Sequence, residues 1–144
     1  MSEADRERWN RRYEERTDFS DFTPHALLVD HLHLLTGGRA LDLACGVGRD
    51  TLFLAAQGYR VDAVDLSRIA LKMARAEAAR RNFSVHFVQA DLDTYSILPE
   101  TYDVIVDFYF LDRRLVPQMR AGLKPGGLMF LETYNIRRLA VDSE

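Results

Sequence analysis

The chain has 144 residues, a length that predicts one domain with a core of its own. Apolar residues make up 47% of it and charged residues 28%, and the formal charge of -3 argues against a protein that binds nucleic acid through a dense field of Lys and Arg. No stretch approaches the roughly 18 apolar residues of a membrane span, and the single cysteine cannot form an intrachain disulfide, so a cytoplasmic protein without a membrane or nucleic-acid partner is expected.

Two helices are predicted at the N-terminus. The charged segment 2–16 has a helical pattern that puts Trp9 and Tyr13, four residues apart, on one face. Thr23, followed by proline, predicts the cap and first turn of a second helix, which a glycine pair at 37 and 38 ends.

From residue 38 onward the pattern alternates between strands and helices. Strands are predicted at 39–45, 59–65, 84–90, 102–110 and 127–133, and helices at 49–57, 68–81 and about 113–123. The fourth strand is nearly all apolar, as in parallel strands that helices cover on both faces. The alternation predicts a doubly wound α/β domain.

No metal site is expected. The sequence has no Cys/His spacing typical of metal ligands, and His31 and His33, two positions apart in the predicted second helix, are expected on different faces. Cys45 is interpreted as a small buried residue rather than a nucleophile, because no partnered histidine is suggested.

The stretch "LDLACGVGRD", residues 41–50, runs from the first strand into a glycine turn. In open parallel sheets, ligands bind beyond the carboxyl ends of the strands. Gly46 and Gly48 allow close backbone approach, and the helix that starts near Arg49 presents free N–H groups, so an anionic or strongly polar ligand group is expected there. The alternative is a tight strand–helix turn that holds nothing.

Two further acidic strand ends favour a ligand with a nucleoside. Asp65 ends the second strand, where a carboxylate accepts bonds from ribose hydroxyls, and Asp91 ends the third. A dinucleotide fingerprint is incomplete because Thr51 stands where its third glycine belongs, and no lysine follows the glycines as a P-loop requires. Both phosphate-binding interpretations are therefore weakened.

At these motifs the chain resembles the class I S-adenosylmethionine-dependent methyltransferases. The resemblance covers "LDLACGVGRDTLFLAAQGYRVDAVDLS", "VQADLD" and "LKPGGLMFLETYN". With an N-terminal "WNRRYEE" it is most similar to the tellurite-resistance and thiopurine-methyltransferase-like branch. It implies a Rossmann-like three-layer sandwich with strand order 3-2-1-4-5, in one domain, 1–144, with a helical lid at 1–36 and a cofactor-binding core at 37–144.

The resemblance implies S-adenosylmethionine as the cofactor and assigns roles around it. Asp65 would hold the ribose hydroxyls and Leu66 pack on the adenine, while Asp91 accepts from the adenine amino group and Leu92 offers its backbone N–H. Six positions would surround the methionine end: Asp42, Gly46, Gly48, Arg49, Asp107 and Phe108.

Some of these roles leave alternatives open. Asp42 would support the glycine loop, with or without contact to the cofactor amino group through water, and Arg49 would pair with the cofactor carboxylate. Trp9 and Tyr13 would form part of the lid, or are simply the stripe that docks the first helix.

Two departures from the family pattern are evident. The family's first glycine position is Ala44, which is expected to lie within the strand. The chain stops soon after the fifth strand, so strands six and seven of the family are expected to be absent, and an exposed fifth-strand edge would favour a homodimer.

The implied activity is methyl transfer to a small-molecule nucleophile such as a thiol or a selenium or tellurium oxyanion. "DFYFLDR" follows the fourth strand in place of the Asn/Asp-Pro-Pro-aromatic motif of adenine methylation, and Tyr109 and Arg113 are the candidate substrate-side residues. The alternatives are a non-catalytic or truncated module that binds the cofactor, and a nicotinamide-dependent oxidoreductase.

Overall fold

The computed structural model describes residues 2–15, 21–108, 112–132 and 138–142, the last segment by its backbone alone. The helices are α1 (Glu3–Glu15), α2 (Ala26–Asp30), α3 (Arg49–Ala56), α4 (Arg68–Arg80) and α5 (Leu115–Gly122). The strands are β1 (Gly38–Leu43), β2 (Tyr59–Asp65), β3 (His86–Gln89), β4 (Tyr102–Asp107), β5 (Leu123–Glu132) and β6 (Arg138–Asp142). No helix among these residues is long and apolar enough to cross a membrane.

All six strands form one sheet, in the order β3-β2-β1-β4-β5-β6. The first five strands are parallel, which confirms the predicted order 3-2-1-4-5. In register, Leu43 at the end of β1 pairs with Val64 of β2 and with Asp107 of β4. The carboxyl ends of the three central strands therefore meet at one edge of the sheet.

The core lies on both faces of this sheet, as expected for buried parallel strands. One cluster of buried side chains includes Val61 and Val106, and the other includes Leu43 and Ile105. Helix α4 follows the pattern that predicted it: the Ser67 hydroxyl accepts a hydrogen bond from the backbone N–H of Ala70 at 3.2 Å and caps its first turn.

The expectation that strand six is absent is wrong. β6 pairs antiparallel with β5, from Leu128 opposite Asp142 to Glu132 opposite Arg138. The edge of β5 is therefore covered, and the homodimer expected from an exposed edge loses its basis. A seventh strand is absent from the part of the chain that the structure describes.

The second predicted helix is also shorter than its apolar pattern suggested. Its N-cap is His25 rather than Thr23, and it ends at Asp30, before a 3₁₀ turn at Leu32–Leu34. Because the backbone leaves the α-helical path, the rings of His31 and His33 stack with centroids 6.3 Å apart rather than lying on different faces.

Candidate functional site

Among the described residues, four carboxyl groups are buried at the carboxyl edge of the central strands or just beyond it. Asp42 lies in β1, Asp50 in the first turn of α3, and Asp65 and Asp107 end β2 and β4; their exposed fractions are 2%, 5%, 9% and 2%. The strand order reverses between β1 and β4, and such a switch point is where open α/β sheets bind ligands. The structure therefore brings the predicted site residues Asp42, Asp65 and Asp107 to this edge, together with Asp50, which the sequence did not single out.

The loop after β1 repeatedly adopts the left-handed conformation, with φ of 59° at Ala44, 58° at Gly46 and 92° at Gly48. The expectation that Ala44 lies within the strand is wrong, since β1 ends at Leu43. A Cβ at Gly48 would stand 3.0 Å from the Cβ of Ala74 in α4. Gly48 is thus required both by its φ and by the close packing of this loop on α4.

Asp65 fastens the glycine loop to the end of β2. One carboxylate oxygen accepts from the backbone N–H of Gly46 and the other from that of Ser67, both at 2.8 Å. Burial raises the pKa of Asp65, and these two hydrogen bonds oppose the rise. A carboxylate has about four lone-pair sites, so acceptor capacity remains beyond these two bonds.

Asp42 stabilises the same loop by joining the two elements that flank it, β1 and α3. It accepts a hydrogen bond of 2.6 Å from the hydroxyl of Thr51, which is fully buried in α3. Thr51, which stands where a dinucleotide fingerprint has its third glycine, is therefore the hydrogen-bond partner of the Asp42 carboxyl in β1. Burial, followed by the nearby Asp50 carboxylate, raises the pKa of Asp42 well above its usual range.

Sequence reasoning missed His25, which joins three parts of the site. Its backbone N–H donates to one oxygen of Asp50 at 2.8 Å, and its ring Nδ1 lies 2.6 Å from the other. The ring stacks on Phe108, just after β4, with centroids 4.3 Å apart and planes 8° apart. No local pattern could have signalled His25, because its partners lie far along the chain.

Arg49 is the first residue of α3 and follows the left-handed Gly48. Its Nε is buried and has no hydrogen-bond partner among the described residues. An unsatisfied guanidinium nitrogen at a helix N-terminus is a position where an acceptor group of a ligand, such as a carboxylate, is stabilised.

The predicted adenosine side lies at the ends of β2 and β3. Leu66 is partly exposed, and its carbonyl accepts from Gln89 at 3.4 Å. Asp91 accepts from the backbone N–H of Asp93 at 2.9 Å, and the side chain of Leu92 packs in the core. The contacts of Asp91 and Leu92 with an adenine remain predictions.

Helix α1 reaches this side of the site. Asn10 accepts a hydrogen bond of 2.5 Å from the hydroxyl of Ser67, the residue after Leu66. Trp9 is half-buried, with the Arg12 guanidinium carbon 5.1 Å from its ring centroid. The backbone of Tyr13 lies in the same helix, and its side chain falls outside the described structure.

Of the two substrate-side candidates, the structure describes Arg113. Tyr109 lies outside the described residues. Arg113 is exposed in the turn before α5, where its carbonyl accepts from the backbone N–H of Val116 at 3.3 Å. Their roles stay predictions.

Comparison with known proteins gives matches over this same region. A family model described as a methyltransferase domain matches residues 40–127. Ubiquinone biosynthesis O-methyltransferase of Xylella fastidiosa (strain 9a5c) is 34% identical over 107 residues, which cover 70% of this chain and 44% of that protein. TehB of Haemophilus influenzae (strain ATCC 51907 / DSM 11121 / KW20 / Rd), a probable S-adenosyl-L-methionine-dependent methyltransferase, is 30% identical over 103 residues, 69% of this chain and 36% of that protein.

A solved structure extends the similarity to the fold. This structure comes from work on the conversion of a disulfide bond into a thioacetal group during echinomycin biosynthesis. It matches with a TM-score of 0.72 and 28% identity, over 88% of this chain and 60% of that chain. The chain spans less than half the length of the two curated relatives above.

Proposed function

The chain belongs to the methyltransferase-domain family, in the branch of S-adenosylmethionine-dependent methyltransferases that includes TehB, and from this we propose that it transfers a methyl group to a small-molecule nucleophile. The proposed acceptor is a thiol, a selenium or tellurium oxyanion, or a similar metabolite. The proposed domain covers residues 1–144, with a helical lid at 1–36 and a cofactor-binding core at 37–144.

The residues of the site fit S-adenosylmethionine. The buried Nε of Arg49, at the start of α3, matches the carboxylate of an amino acid. Buried carboxyl groups, among them Asp42 and Asp107, place oxygen acceptors at the same edge of the sheet that suit an ammonium group. This orphaned cationic nitrogen beside buried carboxyls is the observation that carries the proposal.

The remaining cofactor contacts follow from the family roles. Asp65, whose carboxylate keeps acceptor capacity beyond its two backbone bonds, would accept from the ribose hydroxyls, and Leu66 would pack on the adenine. Asp91 and the backbone of Leu92 would contact the adenine edge. Phe108, held flat against His25, would line the reaction site.

S-adenosylmethionine supplies an electrophilic methyl group on a positively charged sulfur, so this chain needs mainly to align the acceptor and exclude water. Alignment alone supplies much of the rate of such a displacement. Phe108 and the ring of His25 are buried apolar or aromatic surfaces suited to excluding water. A thiol or a selenium or tellurium oxyanion needs little help from a base, and Tyr109 and Arg113 would contact this acceptor.

Calorimetric titration with S-adenosylhomocysteine tests the cofactor, and a parallel titration with NAD tests a dinucleotide. We expect binding of the former alone. Asp65→Ala should weaken this binding by about 1–3 kcal/mol through lost charge-assisted bonds. No binding of S-adenosylhomocysteine at millimolar concentration would refute the proposal.

Turnover is tested with labelled S-adenosylmethionine and a panel of thiols, selenite and tellurite. Label should appear on at least one acceptor, and a cofactor-saturated protein that transfers none would instead be a binding module.

We also infer a reducing, cytoplasmic location and no nucleic-acid partner, since the one cysteine, Cys45, is buried and the chain has a formal charge of -3.

A further inference from the structure

His25 stands at the switch point of the sheet, between the elements that follow two neighbouring strands. Asp50 belongs to the helix after β1, and Phe108 comes directly after β4. β1 and β4 are hydrogen-bonded neighbours whose last residues, Leu43 and Asp107, are paired. The imidazole therefore connects the two elements that border the crevice between these strands.

The side chain of His25 is held in one orientation. Asp50 contacts both its backbone N–H, at 2.8 Å, and its ring Nδ1, at 2.6 Å, so the two contacts close a small ring of bonds. The ring also lies flat on Phe108. A group fixed by a carboxylate on one side and an aromatic ring on another is pre-organised, which is typical of residues that position a reactive site.

Stability alone gives little reason for this arrangement. The His25 and Asp50 side chains are 9% and 6% exposed, and a buried polar pair of this kind is often no more stabilising than apolar residues of the same size. What the pair provides is a fixed distance between the first turn of α3 and the exit of β4. Those two segments carry Arg49, Asp107 and Phe108, which the proposed function assigns to the methionine end of the cofactor.

We propose that His25 is a positioning residue that, through Asp50 and Phe108, holds the first turn of α3 and the exit of β4 in the arrangement that binds the amino acid end of S-adenosylmethionine. This inference rests on the proposed function. The adenosine end depends on Asp65, Leu66 and β3, and the contacts described for His25 are with Asp50 and Phe108 instead. Loss of His25 should therefore affect one end of the cofactor and spare the other.

The test compares two ligands by calorimetry: S-adenosylhomocysteine, and methylthioadenosine, which keeps the adenosine and the thioether but lacks the amino acid group. In His25→Ala the affinity for S-adenosylhomocysteine should fall about tenfold or more, while that for methylthioadenosine stays within about twofold. His25→Asn, whose amide N–H can replace the Nδ1 contact with Asp50, should recover part of the loss. A merely structural role would lower both affinities together.

Asp50→Asn provides a second variant in case His25→Ala folds poorly. It preserves size and can still accept from the backbone N–H of His25, and it should change the same affinity ratio in the same direction. His31→Ala is the matched control, a histidine of the same segment whose ring contacts the carbonyl of Leu27 at 2.7 Å and Phe130. Its affinity ratio should equal that of the wild type.

Equal losses for both ligands, or an unchanged ratio in His25→Ala and Asp50→Asn, would overturn the role of His25 while leaving the cofactor assignment intact. Failure of the wild-type protein to bind S-adenosylhomocysteine would overturn both.

Discussion

Replacement of Asp65 by alanine should destabilise the protein in the absence of any ligand. The carboxylate accepts two backbone N–H groups, from Gly46 and Ser67, each at 2.8 Å and in a nearly buried position. Hydrogen bonds to a charged group contribute about 1.5–3 kcal/mol each, so the gross loss is about 3–6 kcal/mol. Burial raises the pKa of Asp65, which means that the ionised group carries a desolvation cost that the variant no longer has. The expected net loss is therefore about 3 kcal/mol.

Urea unfolding followed by circular dichroism measures this loss as a change in the free energy of unfolding. In a thermal experiment it corresponds to a decrease in Tm of about 9 °C for a chain of this size. Asp65→Asn keeps one acceptor oxygen and should lose about half as much. Asp91→Ala is the matched control: it also removes an aspartate, two residues beyond the end of β3, but the bond that its carboxylate accepts from the backbone N–H of Asp93 is exposed, and the change should cost less than about 1 kcal/mol.

The role of Asp65 is refuted if the free energy of unfolding of Asp65→Ala lies within about 1 kcal/mol of that of the wild type, or if Asp91→Ala loses as much stability as Asp65→Ala. Either result would mean that the two bonds of Asp65 do not hold the glycine loop to β2.

Three further variants test the glycine loop and the two elements that flank it. Thr51→Val removes the donor of the 2.6 Å bond to Asp42 and should cost about 1–3 kcal/mol in urea unfolding, with Thr51→Ser close to the wild type; equal stability of Val and Ser variants would contradict the role of the hydroxyl. Asp42→Asn should be more stable than the wild type by an amount that grows with pH. Burial and a neighbouring carboxylate raise the pKa of Asp42 in the folded state. The stability that Asp42 contributes to the wild type is therefore fully present below about pH 4 and is lost as the pH rises through this raised pKa. A stability difference independent of pH would refute this. Gly48→Ala should lose at least about 1 kcal/mol, because φ is 92° and the new Cβ would stand 3.0 Å from that of Ala74; a Tm equal to the wild type would show that the loop adjusts freely.

Local patterns predicted the elements that depend on local chemistry. The alternation in "YRVDAVD" predicted β2 with the bounds that the structure has, and Ser67 was correctly placed as the cap of α4. The apolar run after Pro24 was a weaker guide, because a run of apolar residues is compatible with a long helix, with a short helix and with a 3₁₀ turn. Which of these forms is decided by what the run packs against.

The candidate site divides in the same way. The glycines after β1 and the acidic ends of β2 and β3 could be read from the sequence, because turn chemistry and strand periodicity place them at one edge of a parallel sheet. The position of Ala44 outside the strand could not, since a left-handed alanine is a costly conformation that no propensity predicts.

The sequence by itself determined the fold class, the strand order through its family resemblance, and the edge of the sheet at which a ligand would bind. Only the tertiary structure decided that Thr51 is the partner of Asp42, that His25 connects Asp50 with Phe108, and that β6 covers the edge of β5. The physical reason is that periodicity and capping act within a few residues, whereas the pairing of buried polar groups and of sheet edges depends on which distant segments the packed core brings within hydrogen-bond distance.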